Sequence, residues 1–352
     1  MRRPAHFLAA ALFGLPAAFA GSNGAWAQSP EQFYKGKTVV VYSGHSAAGA
    51  YSAYGRMLER HVGRYMPGNP TLIMKIMEGG TGLTLANWLY NVGPKDGTAF
   101  GIFHERMGLE PVVAPQGTQF DGREFTWIGS MAKQTSICFT YHTSKVRSVE
   151  DAKKISIPVG AGAAAASDSV MPRMMNAMLD TKFQIIRGYG GSDINLALER
   201  GEVEGRCGYG YASMKTTQGD WIEQKKVNFI AQFSFKPHAE LPGVPVMMDL
   251  VQKPEDKQAL WLIFATQEMG RPFAAPPGIP ADRAAALRQA FQSALKDPEL
   301  IAEAAKQNLE IDPISGEEIT KLMVELYDTP KEIVERVNGF RQGKAGEKDI
   351  KK

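Results

Sequence analysis

The sequence predicts an α/β protein that divides into two domains. Three observations carry that reading. An apolar strand, a loop of small residues and a helix start follow one another at least three times, at 43–51, 160–168 and 188–193, and repeats of this unit imply parallel sheet with helical crossovers. The chain has 352 residues, a length that usually splits in two. Its composition, with 44% hydrophobic and 22% charged residues, is that of an ordinary globular protein. Ligands of open α/β sheets bind beyond the carboxyl ends of the strands, where these loops lie. Two such domains set face to face would close loops from both on one small molecule.

The first 27 residues read as a secretory signal. Arg2 and Arg3 form a basic start, and Phe7 to Phe19 is apolar but short for a bilayer span. Ala25-Trp26-Ala27 is an A-x-A cleavage site, with Ala18-Phe19-Ala20 a weaker one. Removing the leader takes two Arg and no acid, so the formal charge falls from +3 to +1. That balance argues against a nucleic-acid partner, which needs a basic face. Export permits a disulfide between Cys138 and Cys207. Spacing alone favours two buried free thiols in the strand-like runs Ser136–Thr140 and Glu204–Tyr209. Two Cys without a matching His pattern make no zinc site, and neither metal nor cofactor is expected.

Along the chain, strand Thr38–Tyr42 enters the loop Gly44-His45-Ser46-Ala47-Ala48-Gly49-Ala50, and a helix runs from Tyr51 to Tyr65. Met57, Leu58 and Val62 form its apolar face. Met66-Pro67-Gly68-Asn69-Pro70 ends it. Strand Thr71–Met77 meets a second loop-to-helix junction at Glu78-Gly79-Gly80-Thr81-Gly82, and helix Leu83–Tyr90 follows. Strands are expected at Thr98–Phe103, Phe125–Met131 and Ser136–His142, and Ser148 caps a short helix. Strand Ile155–Val159 then runs into Gly160-Ala161-Gly162 and onward through Ser167-Asp168 to helix Ser169–Leu179. Strand Lys182–Arg187, loop Gly188-Tyr189-Gly190-Gly191-Ser192 and helix Asp193–Arg200 repeat the device. Strand Val227–Ser234 is followed by helices Pro254–Thr266, Arg283–Leu295, Pro298–Gln307 and Gly316–Tyr327. The Lys-rich tail from Lys344 reads as disordered.

The free N–H groups and dipole of a helix start suit an anion, and small residues let it approach the backbone. The same letters admit an enzyme. Gly44-His45-Ser46-Ala47-Ala48 approximates the nucleophile elbow G-x-S-x-G, and His238 could complete a Ser…Asp…His order. Against it, the last position is Ala48, and this is the first strand after the leader, so no oxyanion-hole motif precedes it. No catalytic residue is therefore assigned. Neither a P-loop nor G-x-G-x-x-G stands at the first turn. His45 is a candidate donor to an anion. Asp168 reads first as a helix cap, and Tyr189, Tyr209 and Tyr211 as packing residues that could line a pocket.

A series of motifs runs through the chain in order: Phe33-Tyr34-Lys35-Gly36-Lys37-Thr38, Pro67-Gly68-Asn69-Pro70, Asn87-Trp88-Leu89-Tyr90-Asn91-Val92 and Pro94-Lys95-Asp96-Gly97-Thr98. Phe125-Thr126-Trp127-Ile128-Gly129-Ser130, Gly201-Glu202-Val203-Glu204-Gly205-Arg206-Cys207-Gly208 and Leu241-Pro242-Gly243-Val244-Pro245 continue it. This series carries a resemblance, from Phe33 to about Val337, to the receptor proteins of tripartite tricarboxylate transporters, the Bug or TctC-like family. It implies a two-domain periplasmic-binding fold of type II, with the ligand cleft between domains. It also implies a monomeric periplasmic receptor that takes a small organic anion, a mono- or dicarboxylate with an aromatic group admitted, to membrane subunits. The expected plan is leader 1–27, first domain 28–130, second domain 131–234, a return to the first over 235–343, and tail 344–352. Carried over by position, the binding loops are 44–52, 160–169 and 188–192, giving Gly44, His45, Ser46, Ala47, Ala48, Ser52, Gly80, Gly160, Ala161, Gly162, Ser167, Asp168, Tyr189, Gly190 and Tyr209 as ligand residues. The first loop departs from the family. It carries Ala47, Ala48 and Ala50 where glycines are usual, and Ser52 where an Asp is common. A ligand sensor without a transport role fits the same letters.

Overall fold

The computed structural model describes residues 28–344 and 349–351, so the leader expectation lies outside the described residues. Helix α1 (Pro30–Tyr34) leads into β1 (Thr38–Ser43), α2 (Ala50–Val62), β2 (Thr71–Ile76), α3 (Leu83–Asn91), β3 (Ala99–Ile102), α4 (Glu110–Val113) and β4 (Thr126–Ser130). A second run follows as β5 (Ser136–Tyr141), α5 (Val149–Lys154), β6 (Ile157–Ala161), α6 (Ser167–Leu179), β7 (Phe183–Arg187), α7 (Asp193–Glu199), β8 (Gly205–Gly210), α8 (Tyr211–Thr217), α9 (Gly219–Glu223) and β9 (Val227–Phe233). The rest comprises α10 (Met247–Leu250), α11 (Pro254–Glu268), β10 (Pro272–Ala275), α12 (Ala281–Ala294), α13 (Pro298–Lys306), β11 (Ile314–Ser315), α14 (Gly316–Tyr327), α15 (Lys331–Gln342) and β12 (Asp349–Lys351).

Two six-stranded sheets organise these elements, in the orders β11-β4-β10-β3-β1-β2 and β12-β7-β6-β8-β5-β9. Strand β1 is parallel to both β2 and β3, with Val41 opposite Met74 and Phe100. The short β10 lies antiparallel between β3 and β4. In the other sheet β6 runs parallel to β7 and β8, and β5 lies antiparallel between β8 and β9. Apolar clusters cover both faces of each sheet. Val39, Val41, Leu58 and Phe291 pack on one side of the first, and Leu85, Phe103 and Trp127 on the other. Helix α11 serves both lobes. Its Ala259, Leu262 and Ala265 join the first lobe's core, while Leu260 and Phe264 enter the second.

Local chemistry sets the helix ends. Ser148 accepts from the Asp151 N–H at the start of α5, as its sequence predicts. Ser315 and Glu318 form a reciprocal capping box on α14. Helices α2 and α13 are pinned by charge: Arg60 and His61 meet Glu303, and Arg64 lies 2.8 Å from Glu299 and 3.2 Å from Asp297. His61, Asp297 and Glu299 bring possible metal-ligand atoms within 4.8 Å of one another. Arg64 bonds both carboxylates, so the group is an ionic clamp between helices.

Two expectations are corrected. Cys138 and Cys207 are joined in a disulfide and are not free thiols. They stand opposite each other on β5 and β8, at an irregularity in the pairing. A separation of 69 residues hides that register from the sequence. The tail is not wholly without structure either, because Asp349–Lys351 adds a parallel strand beside β7, with Ile350 opposite Ile186. An open sheet edge offers unpaired backbone groups that template such a strand.

Between the sheets the chain crosses directly from β4 to β5, and returns through α10 and α11 to β10. The two crossings are bonded together. Met131 N–H donates to the Arg271 carbonyl at 3.2 Å, and Gln134 N–H to the Gln267 carbonyl at 2.7 Å. Gly270 is needed here, since a Cβ on it would fall 2.7 Å from the Lys133 carbonyl carbon. Among the described residues no helix is long and apolar enough to cross a membrane.

Candidate functional site

The carboxyl ends of β1, β3 and β4 meet at one edge of the first sheet, and the first loop leaves from it. Ser43 and Ser52 share a hydrogen bond of 2.8 Å, and Ser43 Oγ also accepts from the His45 N–H at 3.2 Å. Ser52 Oγ donates to the His45 carbonyl at 3.2 Å. Ser52 is thus fully buried and supports the loop from beneath, away from any ligand in this conformation. Ser46, Ala47 and Ala48 are exposed at its crest. Arg56 ties the crest down by donating to the Ala47 carbonyl at 2.7 Å. Gly49 caps α2 with no side-chain bond to its first N–H groups, which leaves the donors of that turn open toward the loop. Gly44 is dictated by the neighbouring 79–82 turn: a Cβ there would fall 2.7 Å from the Gly82 Cα. Gly80 stands exposed on that turn.

Beneath the loop lies an aromatic and charged cluster. The His45 ring stacks on Tyr51 at 4.1 Å, and His104 lies 5.4 Å from Tyr51. The Tyr51 hydroxyl donates to Glu105. His104 Nδ1 is 3.2 Å from the same carboxylate. The Arg271 guanidinium covers the rings of Tyr51 and Tyr54 at 4.6 and 5.2 Å. Burial pushes His45 and His104 down to about 4, helped for both by the nearby Arg271 charge. Burial pushes the Glu105 carboxyl up, but His104 once it is protonated, the charges of Arg271 and Arg106, and the Tyr51 bond outweigh it and hold it below its usual range. The cluster at neutral pH is therefore one carboxylate, one guanidinium and two neutral imidazoles. His45 Nε2 is buried with no hydrogen-bond partner.

The folded protein binds protons on both histidines more weakly than the unfolded chain does, so stability present above pH 6.5 is lost as pH falls toward about 4. Glu105, also depressed, acts in the same direction at the acid end of that window. We expect a loss of about 3 kcal/mol between pH 7 and pH 4.5, after discounting for the part-exposed His45. Urea titrations of the wild type and of His45→Gln/His104→Gln measure it. Equal pH slopes in the two proteins would refute the assignment.

The facing loops come from the second sheet. Gly160 is pressed against Ile194, where a Cβ would come within 2.7 Å. The buried Ala161 carbonyl accepts from the N–H groups of Gly188 and Tyr189 at 3.1 and 3.2 Å, which sews the two loops together. Asp168 is not the helix cap that its position suggests, because Ala166 holds that place without a side-chain bond. The Asp168 carboxylate instead accepts from the Gly162 N–H at 3.0 Å and faces Arg206 at 3.6 Å. Arg206, almost fully buried, also donates to the Gly191 carbonyl and Asn195, both at 2.9 Å, and lies 4.0 Å over the Tyr209 ring. Gly190 N–H donates to Asp193 at 3.2 Å. The Tyr189 hydroxyl reaches Glu202, and the Tyr209 hydroxyl reaches Thr217 and Gln218, so both are engaged within their own lobe.

The loops of the two sheets meet. Arg106, just past β3, donates to the Ala165 carbonyl at 3.3 Å. Arg106 and Ser167 both line the small space at this contact. Farther along, Lys215 of α8 pairs with Glu310 at 2.5 Å. Sequence reasoning places Gly44 to Ala48 on one side and Gly160 to Asp168 with Gly190 on the other. It does not find His104, Glu105, Arg106, Arg206 or Arg271. The first three follow directly on a strand's carboxyl end, a position that marks ligand sites in α/β sheets. Arg271 carried no signal, because the strand it precedes was not recognised.

No family model matches the sequence, and no curated protein matches it. Solved structures do. A TctC solute-binding protein from Polaromonas superposes with a TM-score of 0.68 at 17% identity, covering 87% of this chain and 98% of its own. The chain has the two-lobed fold of such binding proteins. An R. palustris protein solved with adipate gives 0.62 at 15% identity, over 86% of this chain and 97% of its own. MatC from Rhodopseudomonas palustris, solved with malate, gives 0.57 at 14%, over 85% and 99%.

Proposed function

We propose that the chain is a periplasmic receptor of the Bug or TctC type, which closes on a small organic carboxylate and delivers it to the membrane subunits of a tripartite tricarboxylate transporter. The observation that carries this reading is the meeting of two loop sets, one from each sheet, at Arg106 and Ala165. The first set offers the open N–H groups of α2 beside His45, and Arg106 beyond β3. Such groups hold an anion without doing chemistry on it. Neighbours of the same fold were solved with adipate and malate, both carboxylates. The ligand residues proposed are those of the 44–48, 160–168 and 188–190 loops, now with His104 and Arg106. The crossings near Met131 and Ser234 would act as hinges.

The hydrolase reading loses its geometry. Among the described residues no histidine hydrogen-bonds Ser46, and His238 faces Glu310 at 3.6 Å and packs on Tyr211. Thermal shift with a panel of carboxylic acids tests the receptor reading. An acid at a hundredfold excess over its Kd should stabilise by about 2.7 kcal/mol, a rise of about 5 °C. Ala47→Asp, which adds a like charge at the loop crest, should abolish that rise. Turnover of an ester that disappears with Ser46→Ala, with no acid stabilising, would refute the receptor and restore the hydrolase.

A further inference from the structure

Between the 79–82 turn and the segment after β3, the first lobe holds a chamber of about 180 Å³ that shares Gly80, His104 and Arg106 with the proposed site and extends beyond it. Leu83, Met107 and Ala114 give it apolar walls, His104 a neutral ring, Gln116 and Thr118 neutral polar groups, and Arg106 and Glu110 its two charges. These charges differ. Glu110 is paired with Arg341 at 3.3 Å. Among the described residues Arg106 makes no ion pair, its Nε is buried without a partner, and its guanidinium's one hydrogen bond is the 3.3 Å contact to Ala165. Arg106 also lines the small space between the lobes, so it stands where the chamber adjoins the facing loop.

The geometry points to this chamber as the pocket for the ligand's tail, with Arg106 holding the ligand's carboxylate and deciding its class: a short-chain monocarboxylate. The inference rests on the receptor reading and narrows it. A guanidinium without a carboxylate partner is the complement of one anionic head. An apolar chain gains from burial against Leu83, Met107 and Ala114. A second carboxylate at the chain's far end would meet the Glu110–Arg341 pair and the neutral Gln116 and Thr118, with no second unpaired cation to offset its desolvation. The volume suits a molecule well below drug size. This chain would then differ from its adipate- and malate-bound neighbours in fold.

Hexanoate and adipate share a six-carbon chain and differ in one carboxylate, so calorimetric titration of the whole protein with each is the test. Hexanoate should bind at least tenfold more tightly than adipate. Arg106→Gln should weaken hexanoate at least tenfold, Ala114→Phe should abolish its binding by filling the chamber, and Glu110→Gln should narrow the preference over adipate. Urea midpoints confirm that each variant is folded, and Glu110→Gln, nearly isosteric, keeps the test valid should Ala114→Phe fail to fold. Equal affinity for the two acids, or hexanoate binding untouched by Arg106→Gln, overturns the inference while leaving the receptor reading intact. Failure of every acid in the panel to bind overturns both.

Discussion

Replacing Arg271 with methionine is expected to lower stability by about 3–5 kcal/mol. The residue is only 5% exposed, its guanidinium covers two tyrosine rings, and its Nη1 donates to the Gly270 carbonyl at 2.6 Å. Its charge also helps keep Glu105 ionised under the first loop. Methionine fills much of the same space but leaves that carboxylate beside two neutral imidazoles. Part of the loss should return when Glu105→Gln is added, because the double variant removes both charges. A double-mutant cycle in urea measures the coupling. A single-variant cost below about 1 kcal/mol would show that Arg271 does not support the cluster.

Cys138→Ala/Cys207→Ala should cost about 4 kcal/mol, by the chain entropy that a bridge across 69 residues removes from the unfolded state. The bridge spans most of the sequence of strands β5 to β9 and joins two neighbouring strands, β5 and β8. The stability of the wild type with and without reductant, compared with the variant, tests it. The variant should match the reduced wild type within about 1 kcal/mol. A variant as stable as the oxidised protein would refute a stabilising bridge.

The regular units were readable because their periods are local. Strand β1 was expected at Thr38–Tyr42 and runs from Thr38 to Ser43, and α14 runs over Gly316–Tyr327 as expected. Strand β10 was not readable. It has four residues, starts at a proline and is buried throughout, so it shows no alternation. The crest of the first loop was legible as a turn of small residues at a strand's exit. The residues that give it chemistry were not, since His104 and Glu105 follow a different strand and Arg271 arrives more than two hundred positions after Tyr51. Ser52 misled for the opposite reason: adjacency in sequence placed it in the loop, while the helical turn put it underneath.

The place of β10 governs the order in which the molecule can be completed. Strands β3 and β4 both lie in the first sheet, yet what joins them comes from residues 272–275, after strands β5 to β9 of the second sheet have been made. A ribosome emitting this chain therefore produces a second lobe whose strands β5 to β9 are contiguous, while the first waits with a gap at its centre. Loop closure over that distance is slow compared with local pairing. The N-terminal half stays unlatched for the longest part of synthesis, a state in which a chain can still be threaded through a narrow channel or held by a chaperone. Once β10 inserts, it brings Arg271 with it, so the gap in the sheet closes and the cluster is completed in the same event.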